Sequence, residues 1–131
     1  MSSFTRDNIE ISVGVWDGLS GDYFLKIQND EETKSLVFTQ EKLSKFLGKM
    51  TCMILNEGLF GDYIYLVGRD EGFRFDYRGE YVCLAYYDNL GGAGKCVTVK
   101  SSDFDSFIEW LEKIRSQLNA LPPTPPFELN D

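Results

Sequence analysis

Alternating apolar and polar residues near the start of the chain predict β-strands. Between residues 9 and 15 every second position is Ile or Val, and the positions between them are Glu, Ser and Gly. This period of two is typical of a strand with one buried face. Shorter apolar runs predict two further strands at 23–27 and 36–38, separated by the acidic turn sequence 29–32.

The period of the pattern changes after residue 38 and predicts a short helix. Thr39 is a suitable N-cap, and Leu43, Phe46 and Leu47 follow helical spacing. Gly48 stands where a left-handed C-cap would end the helix.

The rest of the chain predicts more strands and a longer helix. The strands are expected at 50–55, 63–67, 73–78, 81–87 and 96–99. Ser102 and Asp105 have the spacing of a capping box, and an apolar stripe follows it through Leu121. All four prolines lie beyond that stripe, where they end the helix.

These elements predict an α+β fold with antiparallel sheet built from two related halves. The first half, about 8–48, has about three strands and a short helix. The second, about 49–121, has about five strands and a long helix. A length of 131 residues fits one domain at 1–121, followed by a Pro-rich tail at 122–131. The Pro-x-x-Pro spacing in that tail fits a plain terminus or a recognition motif.

An internal repeat supports the division into halves. At an offset of 40 residues, the segments 17–23 and 57–63 both read acid-Gly-Leu-x-Gly-Asp-Tyr. The same register places Asp30 and Glu31 on Asp70 and Glu71. The two halves therefore carry acids at corresponding positions.

The repeated motif has two interpretations. Its glycines suit a tight connection that needs positive φ angles, with the Asp side chain bonding the local backbone. Alternatively, Asp17, Asp22, Glu57 and Asp62 form paired acidic loops that face a partner or bind a hard cation. Neither loop has the ligand spacing of a calcium site, so no metal site is predicted.

The charge of the chain favours a basic partner over nucleic acid. The formal net charge is −8. Residues 1–32 hold seven acids and two bases, and residues 57–88 hold seven acids and three bases. Such a field repels phosphate backbones and attracts basic proteins, although acidic surfaces also serve solubility.

Residues for catalysis are scarce. The chain has no histidine, which removes the commonest general base and metal ligand. Its three cysteines, Cys52, Cys83 and Cys96, lack metal-binding or redox spacing. We therefore expect a protein without enzyme activity or cofactor, with reduced cysteines in its core. The lack of a leader-like start and of a long apolar run predicts a cytoplasmic protein with no membrane span.

Tyrosines are abundant in the predicted strands of the second half. Tyr63, Tyr65, Tyr77, Tyr81 and Tyr87 lie in strands whose two faces are both largely apolar or aromatic. A central strand covered on both sides explains this pattern. The other interpretation is an exposed tyrosine face that binds a partner.

Two families resemble this chain. Segments 36–47 and 97–108 read as a last strand followed by a helix, and the duplicated unit resembles whirly and Pur-type single-strand-binding proteins. Those proteins need basic grooves alongside aromatic residues, whereas the candidate strands of this chain lie in an acidic stretch. In size, charge and architecture the chain is similar to immunity proteins of bacterial polymorphic and contact-dependent toxin systems. That resemblance implies a cytoplasmic inhibitor of a basic toxin domain, often a nuclease.

We therefore expect a binding protein that neutralises a basic protein partner such as a toxin domain. Its candidate binding residues are acids and tyrosines. The acids are Asp17, Asp22, Glu57 and Asp62 of the repeated motif, together with Asp70 and Glu71, and the tyrosines are the five in the predicted strands. The alternative is a single-strand nucleic-acid-binding module with a local basic patch at Lys34, Lys42, Lys45 and Lys49.

Overall fold

The fold consists of two four-stranded antiparallel sheets, each followed by a helix. A computed structural model describes residues 2–17, 22–56, 61–88 and 97–120. The first sheet contains β1 (Ser2–Arg6), β2 (Ile9–Asp17), β3 (Asp22–Gln28) and β4 (Thr33–Thr39), followed by α1 (Gln40–Leu55). The second contains β5 (Gly61–Leu66), β6 (Glu71–Tyr77), β7 (Tyr81–Asp88) and β8 (Val97–Lys100), followed by a 3₁₀ turn (Ser101–Asp103) and α2 (Phe104–Ala120). In both sheets the strands lie side by side in chain order.

This arrangement confirms the predicted α+β class and the order of strands followed by a helix in each half. The predicted strand counts differ from those of the structure, because the described residues form four strands in each half instead of about three and about five. One strand, β1, was missed, and one predicted strand, 50–55, is the C-terminal part of α1.

The helix α1 continues past Gly48 because its apolar face continues. Met50, Met53 and Ile54 are buried with helical spacing, whereas Cys52 is exposed. Gly48 lies inside the helix, where an added Cβ would come within 3.0 Å of the Arg115 guanidinium carbon on α2. Packing against α2 therefore outweighs the weak helix propensity of glycine, and α1 is not the short helix that was predicted.

The strand β1 escaped prediction because only one of its residues is strongly apolar. It pairs with β2 through a tight turn in which Asp7 has a φ of 51°. Phe4 supplies its buried side chain and packs edge-on against Phe107 of α2. One well-placed aromatic residue suffices here, because the backbone of the neighbouring strand provides the pairing.

The core lies between the inner faces of the two sheets and the two helices. Leu25 and Phe38 face it from the first sheet, and Phe73 and Leu84 face it from the second. The rings of Phe38 and Phe73 stack at a centroid distance of 6.2 Å, and Phe46 of α1 packs against both. The halves thus share one core, which fixes the position of one sheet relative to the other.

The start of α1 agrees with the prediction from the sequence, whereas the start of α2 lies slightly later than predicted. Thr39 caps α1 as predicted, since its side chain accepts a hydrogen bond from the Lys42 N–H. The second helix begins at Phe104, after the 3₁₀ turn, instead of directly after Ser102. Within the described residues, neither helix is long and apolar enough to cross a membrane. The predicted tail at 122–131 lies outside the described residues.

Candidate protein-binding surface

The turn between β3 and β4 projects carboxylates into solvent. The Asn29 side-chain oxygen accepts hydrogen bonds from the N–H groups of Glu31 and Glu32, at 2.9 and 3.0 Å. The Asn29 N–H in turn donates to the Glu32 carbonyl. This local bonding holds the turn and leaves the side chains of Asp30 and Glu31 exposed.

The turn between β5 and β6 has the same acidic character. The N–H groups of Val67 and Gly68 both donate to the Glu71 carbonyl, which closes the turn. Asp70 and Glu71 are exposed. Asp88 lies directly opposite Glu71 on β7 and adds a third carboxylate to this end of the sheet.

A chain of three side chains joins the two turns across the sheets. The Lys34 ammonium of β4 lies 5.1 Å from the centroid of the Tyr86 ring on β7. The Tyr86 hydroxyl donates a 2.6 Å hydrogen bond to the Glu71 carboxylate. Lys34 follows the first turn by two residues and Glu71 closes the second, so this relay of side chains connects the ends of the two sheets that carry the turns.

We call the resulting surface the acidic end. It contains six carboxylates from both halves of the chain: Asp30, Glu31, Glu32, Asp70, Glu71 and Asp88. A shallow cleft runs between the first turn and β8, lined by Ile27, Gln28, Asn29, Glu32, Lys34 and Val97. Lys34 and Arg69 are the basic residues in the segments that form this end.

The carboxylates of the acidic end raise the pKa of Tyr86. The hydrogen bond to Glu71 raises the pKa of Tyr86 to about 12, and burial and the charges of Glu71 and Asp88 add to the shift. A negative charge on the phenol is therefore strongly disfavoured here. The same concentration of carboxylates attracts cationic groups of a partner.

The acids of the repeated motif lie elsewhere. Asp17 and Asp22 are directly opposite each other where β2 and β3 meet their connection, at the far end of β3 from Asp30. Glu57 and the Asp17 side chain lie outside the described part of the chain. Gly61, in the second copy, has a φ of +136°, as the structural interpretation of the motif glycines requires.

Asp62 is part of a charge network on the outer face of the second sheet. Its carboxylate pairs with Arg74 at 2.5 Å and with Arg78 at 3.6 Å. Asp76, directly opposite on β6, also pairs with Arg78. The hydrogen bond from Asp76 and the contacts of Arg74 lower the pKa of Asp62, whereas burial and the neighbouring Asp62 raise the pKa of Asp76. On acidification Asp76 therefore takes up a proton before Asp62, and when both are ionised the two carboxylates are balanced by the two arginines.

The five candidate tyrosines divide between the two faces of the second sheet. Tyr77 is buried, and Tyr63 and Tyr65 are half-buried on the inner face. The rings of Tyr65 and Phe46 lie 5.2 Å apart. Tyr81 and Tyr87 lie on the outer face, away from the core, because they are offset by an odd number of residues from the buried Val82 and Leu84 of the same strand. The tyrosines therefore do not form one continuous binding face.

The lysines of the alternative hypothesis are dispersed among separate contacts. Lys45 pairs with Glu41 at 3.1 Å. Lys49 lies over the Tyr63 ring at 5.0 Å, while Lys34 belongs to the acidic end. Among the described residues, Lys42 is the one lysine of the four with no ion pair or cation–π contact given for its ammonium group. The four lysines therefore do not form a continuous basic groove.

Of the residues in the acidic end, the sequence predicted Asp70 and Glu71 as protein-binding residues and named Lys34 within the basic patch of the alternative hypothesis. Lys34, Tyr86 and Asp88 connect or extend the two turns, yet none belongs to the repeat. Their role depends on the contact between the sheets, for which the sequence carries no local signal. The repeat register itself had aligned Asp30 and Glu31 with Asp70 and Glu71, and these four lie in the turns that the structure brings together.

Comparisons with known proteins assign no family. No protein-family model matches the chain, and a search of curated proteins finds no match. Among the described residues, no group of three or more His, Cys, Asp or Glu side chains is arranged to hold a metal ion.

Proposed function

We propose that the protein is a non-catalytic, cytoplasmic binding protein that neutralises a basic protein partner, in the manner of an immunity or antitoxin protein. Its target in this proposal is a basic toxin domain such as a nuclease. The observation that carries the proposal is the contact of Lys34 and Glu71 with Tyr86, which unites two acidic turns from separate halves into one surface.

The density and the placement of the carboxylates support this function. Dispersed surface carboxylates serve solubility, whereas several carboxylates on adjacent turns create a local potential that steers a basic partner. The turns are held by backbone and Asn29 hydrogen bonds, so little order has to be gained on binding. A preformed acidic surface suits rapid capture of a toxin domain.

Single-strand nucleic-acid binding remains the alternative. It is favoured by the architecture, since two antiparallel meanders each followed by a helix resemble whirly and Pur-type proteins. It is disfavoured by the acidic end and by the dispersal of the lysines, because binding to phosphates requires a continuous basic groove.

The proposal predicts that loss of charge at the acidic end slows partner association. The variant carries Asp30→Asn, Glu31→Gln and Asp70→Asn, which leaves the Glu71 bond to Tyr86 intact. A basic protein isolated with the wild-type chain from its host is titrated against both proteins in a stopped-flow assay. We expect the association rate constant to fall about tenfold at low salt. At 1 M salt, where the screening length is about 3 Å, the difference should vanish.

A matched control removes the same number of charges elsewhere. Glu80→Gln, Asp105→Asn and Glu109→Gln change exposed acids outside the acidic end. This control should associate nearly as fast as the wild type. Equal slowing of the two variants would mean that net charge, and not the acidic end, governs binding. Tight, salt-sensitive binding of single-stranded DNA or RNA, with no protein partner recovered, would support the alternative instead.

A further inference from the structure

The first sheet presents an exposed tryptophan on the side away from the core. Trp16, near the end of β2, is 62% exposed, whereas the other tryptophan, Trp110, is 7% exposed. Leaving a ring of this size in water forgoes a large gain from burial. An exposed tryptophan on regular structure is therefore a candidate anchor for a partner.

The outer face around Trp16 is apolar and preformed. Phe24 of β3 lies opposite Gly14 of β2, and Val37 of β4 lies opposite Phe24. An added Cβ at Gly14 would fall 2.5 Å from two ring carbons of Phe24, so the ring lies directly on the glycine backbone. We call Trp16, Phe24 and Val37 the outer-face platform.

A local irregularity positions Trp16 on this platform. Val15 pairs with Tyr23 and Asp17 pairs with Asp22, so Trp16 is the additional residue of a bulge. Because the bulge interrupts the alternation along β2, the position of Trp16 follows from its neighbour Asp17, which lies directly opposite Asp22 on the face that carries Phe24. Bulges commonly redirect a side chain at binding sites, and here the redirected side chain is the exposed indole.

One carboxylate, that of Asp22, borders the platform on one side. Asp22 precedes Phe24 by two residues on β3 and therefore shares its face. Among the described residues, no ion pair includes Asp22. Lys26 bounds the platform on the opposite side of Phe24. An aromatic surface with a carboxylate at one edge fits a planar cation that stacks and donates hydrogen bonds at the same time.

We propose that the outer-face platform binds an arginine side chain from an extended segment of the partner. The guanidinium stacks on the Trp16 indole and donates to the Asp22 carboxylate, while the methylene stem packs on Phe24. A nucleotide base would also stack on Trp16, but its phosphates would meet Asp22 and the net charge of −8. This inference rests on the proposed function and names arginine as the side chain that the basic partner contributes.

The test uses a short peptide as a stand-in for the partner segment. An acetylated, amidated octapeptide of alternating arginine and glycine is titrated into the ¹⁵N-labelled full chain and followed by NMR. We expect the Trp16 indole N–H and the Asp22 and Phe24 amides to shift most. Trp16→Ala should weaken binding about tenfold, and Trp16→Phe should weaken it less. A lysine–glycine octapeptide should bind several-fold more weakly than the arginine peptide, because ammonium stacks poorly.

Leu55→Ala is the matched control. Leu55 is another large exposed apolar residue, 65% exposed, at the end of α1. This variant should bind the arginine peptide like the wild type. Circular dichroism should show that Trp16→Ala, a change at an exposed site, retains the fold.

The remaining outcomes separate this inference from the proposed function. If the arginine peptide shifts only residues of the acidic end, and Trp16→Ala binds it unchanged, the platform proposal is overturned while the proposed function stands. Absence of any arginine-peptide binding also overturns the platform proposal, and the rate measurements on the acidic end still decide the function. If oligothymidylate binds at Trp16 more tightly than the arginine peptide, both are overturned.

Discussion

At the scale of single residues, Tyr86 has the most consequential set of contacts. Its ring receives Lys34 from the other sheet, and its hydroxyl donates to Glu71. The contact with Glu71 opposes ionisation of the phenol and raises the pKa of Tyr86 to about 12. Tyr86 thus connects the two halves, and its pKa depends on the carboxylate beside it.

The raised pKa of Tyr86 gives a pH prediction. The folded protein holds this proton more tightly than the unfolded chain, where the phenol titrates near 10.0. The stabilising contribution is therefore complete below about pH 10 and is lost as the pH rises toward about 12. With ¹³Cζ-labelled tyrosine, NMR titration should show the pKa of Tyr86 falling toward 10.0 in Glu71→Gln. An unchanged value in that variant would show that Glu71 does not cause the shift.

Asp62 was predicted to bind a partner, but its carboxylate already forms ion pairs within the protein. Two arginines and Asp76 surround its carboxyl group. Its charge is largely compensated within the sheet, so it contributes less to the field around the molecule than the acids of the turns. Residue type and spacing marked Asp62 as a candidate, but its partners come from the adjacent strand and were not visible in the motif.

At the scale of elements, α1 shows how a short apolar run can mislead. The sequence Met-Thr-Cys-Met-Ile-Leu at 50–55 fits a strand and a buried helix turn equally well by composition. The deciding factor is the face of the preceding turns, since Phe46, Leu47 and Met50 continue one stripe. The sequence prediction ended the helix at Gly48 and so separated Met50 from the apolar stripe to which it belongs. It also led to the expectation that Cys52 is a core residue, which is wrong because Cys52 is exposed.

Adjacent substitutions test the register of α1. Met53→Lys buries a charge in the core and should lower the free energy of unfolding by about 3 kcal/mol or more. Cys52→Lys changes an exposed position and should shift it by less than about 0.5 kcal/mol. Urea denaturation of both variants measures the difference. Equal destabilisation at the two positions would contradict the helical register.

At the scale of the whole molecule, the fold was more predictable than the binding surface. Periodicity indicated most strands, both helices and the order of elements in each half, because these depend on residues close in sequence. The weakly apolar β1 gave too little signal on its own. The acidic end depends on Lys34 meeting Tyr86 across two sheets, and Trp16 gains its position from a bulge. Such contacts follow from the packing of the shared core around Phe38 and Phe73 and leave no local pattern.

The two surfaces derived for this molecule differ in kind. The acidic end supplies long-range attraction, which governs the rate of association and its dependence on salt. The outer-face platform supplies a stacking contact, which governs how long the complex lasts. Charge-neutralised and Trp16 variants should therefore act on different rate constants of the same binding reaction.

Zero-length cross-linking tests the central claim most directly, because carbodiimide joins a carboxylate only to an amine in contact with it. The chain is cross-linked to its partner in host lysate, and the linked peptides are identified by mass spectrometry. We expect one basic protein, joined through its lysines mainly to Asp30, Glu31 and Asp70. Links scattered equally over acids outside the acidic end, such as Glu80 and Glu109, or no stoichiometric protein partner, would contradict the claim that this surface captures a basic protein.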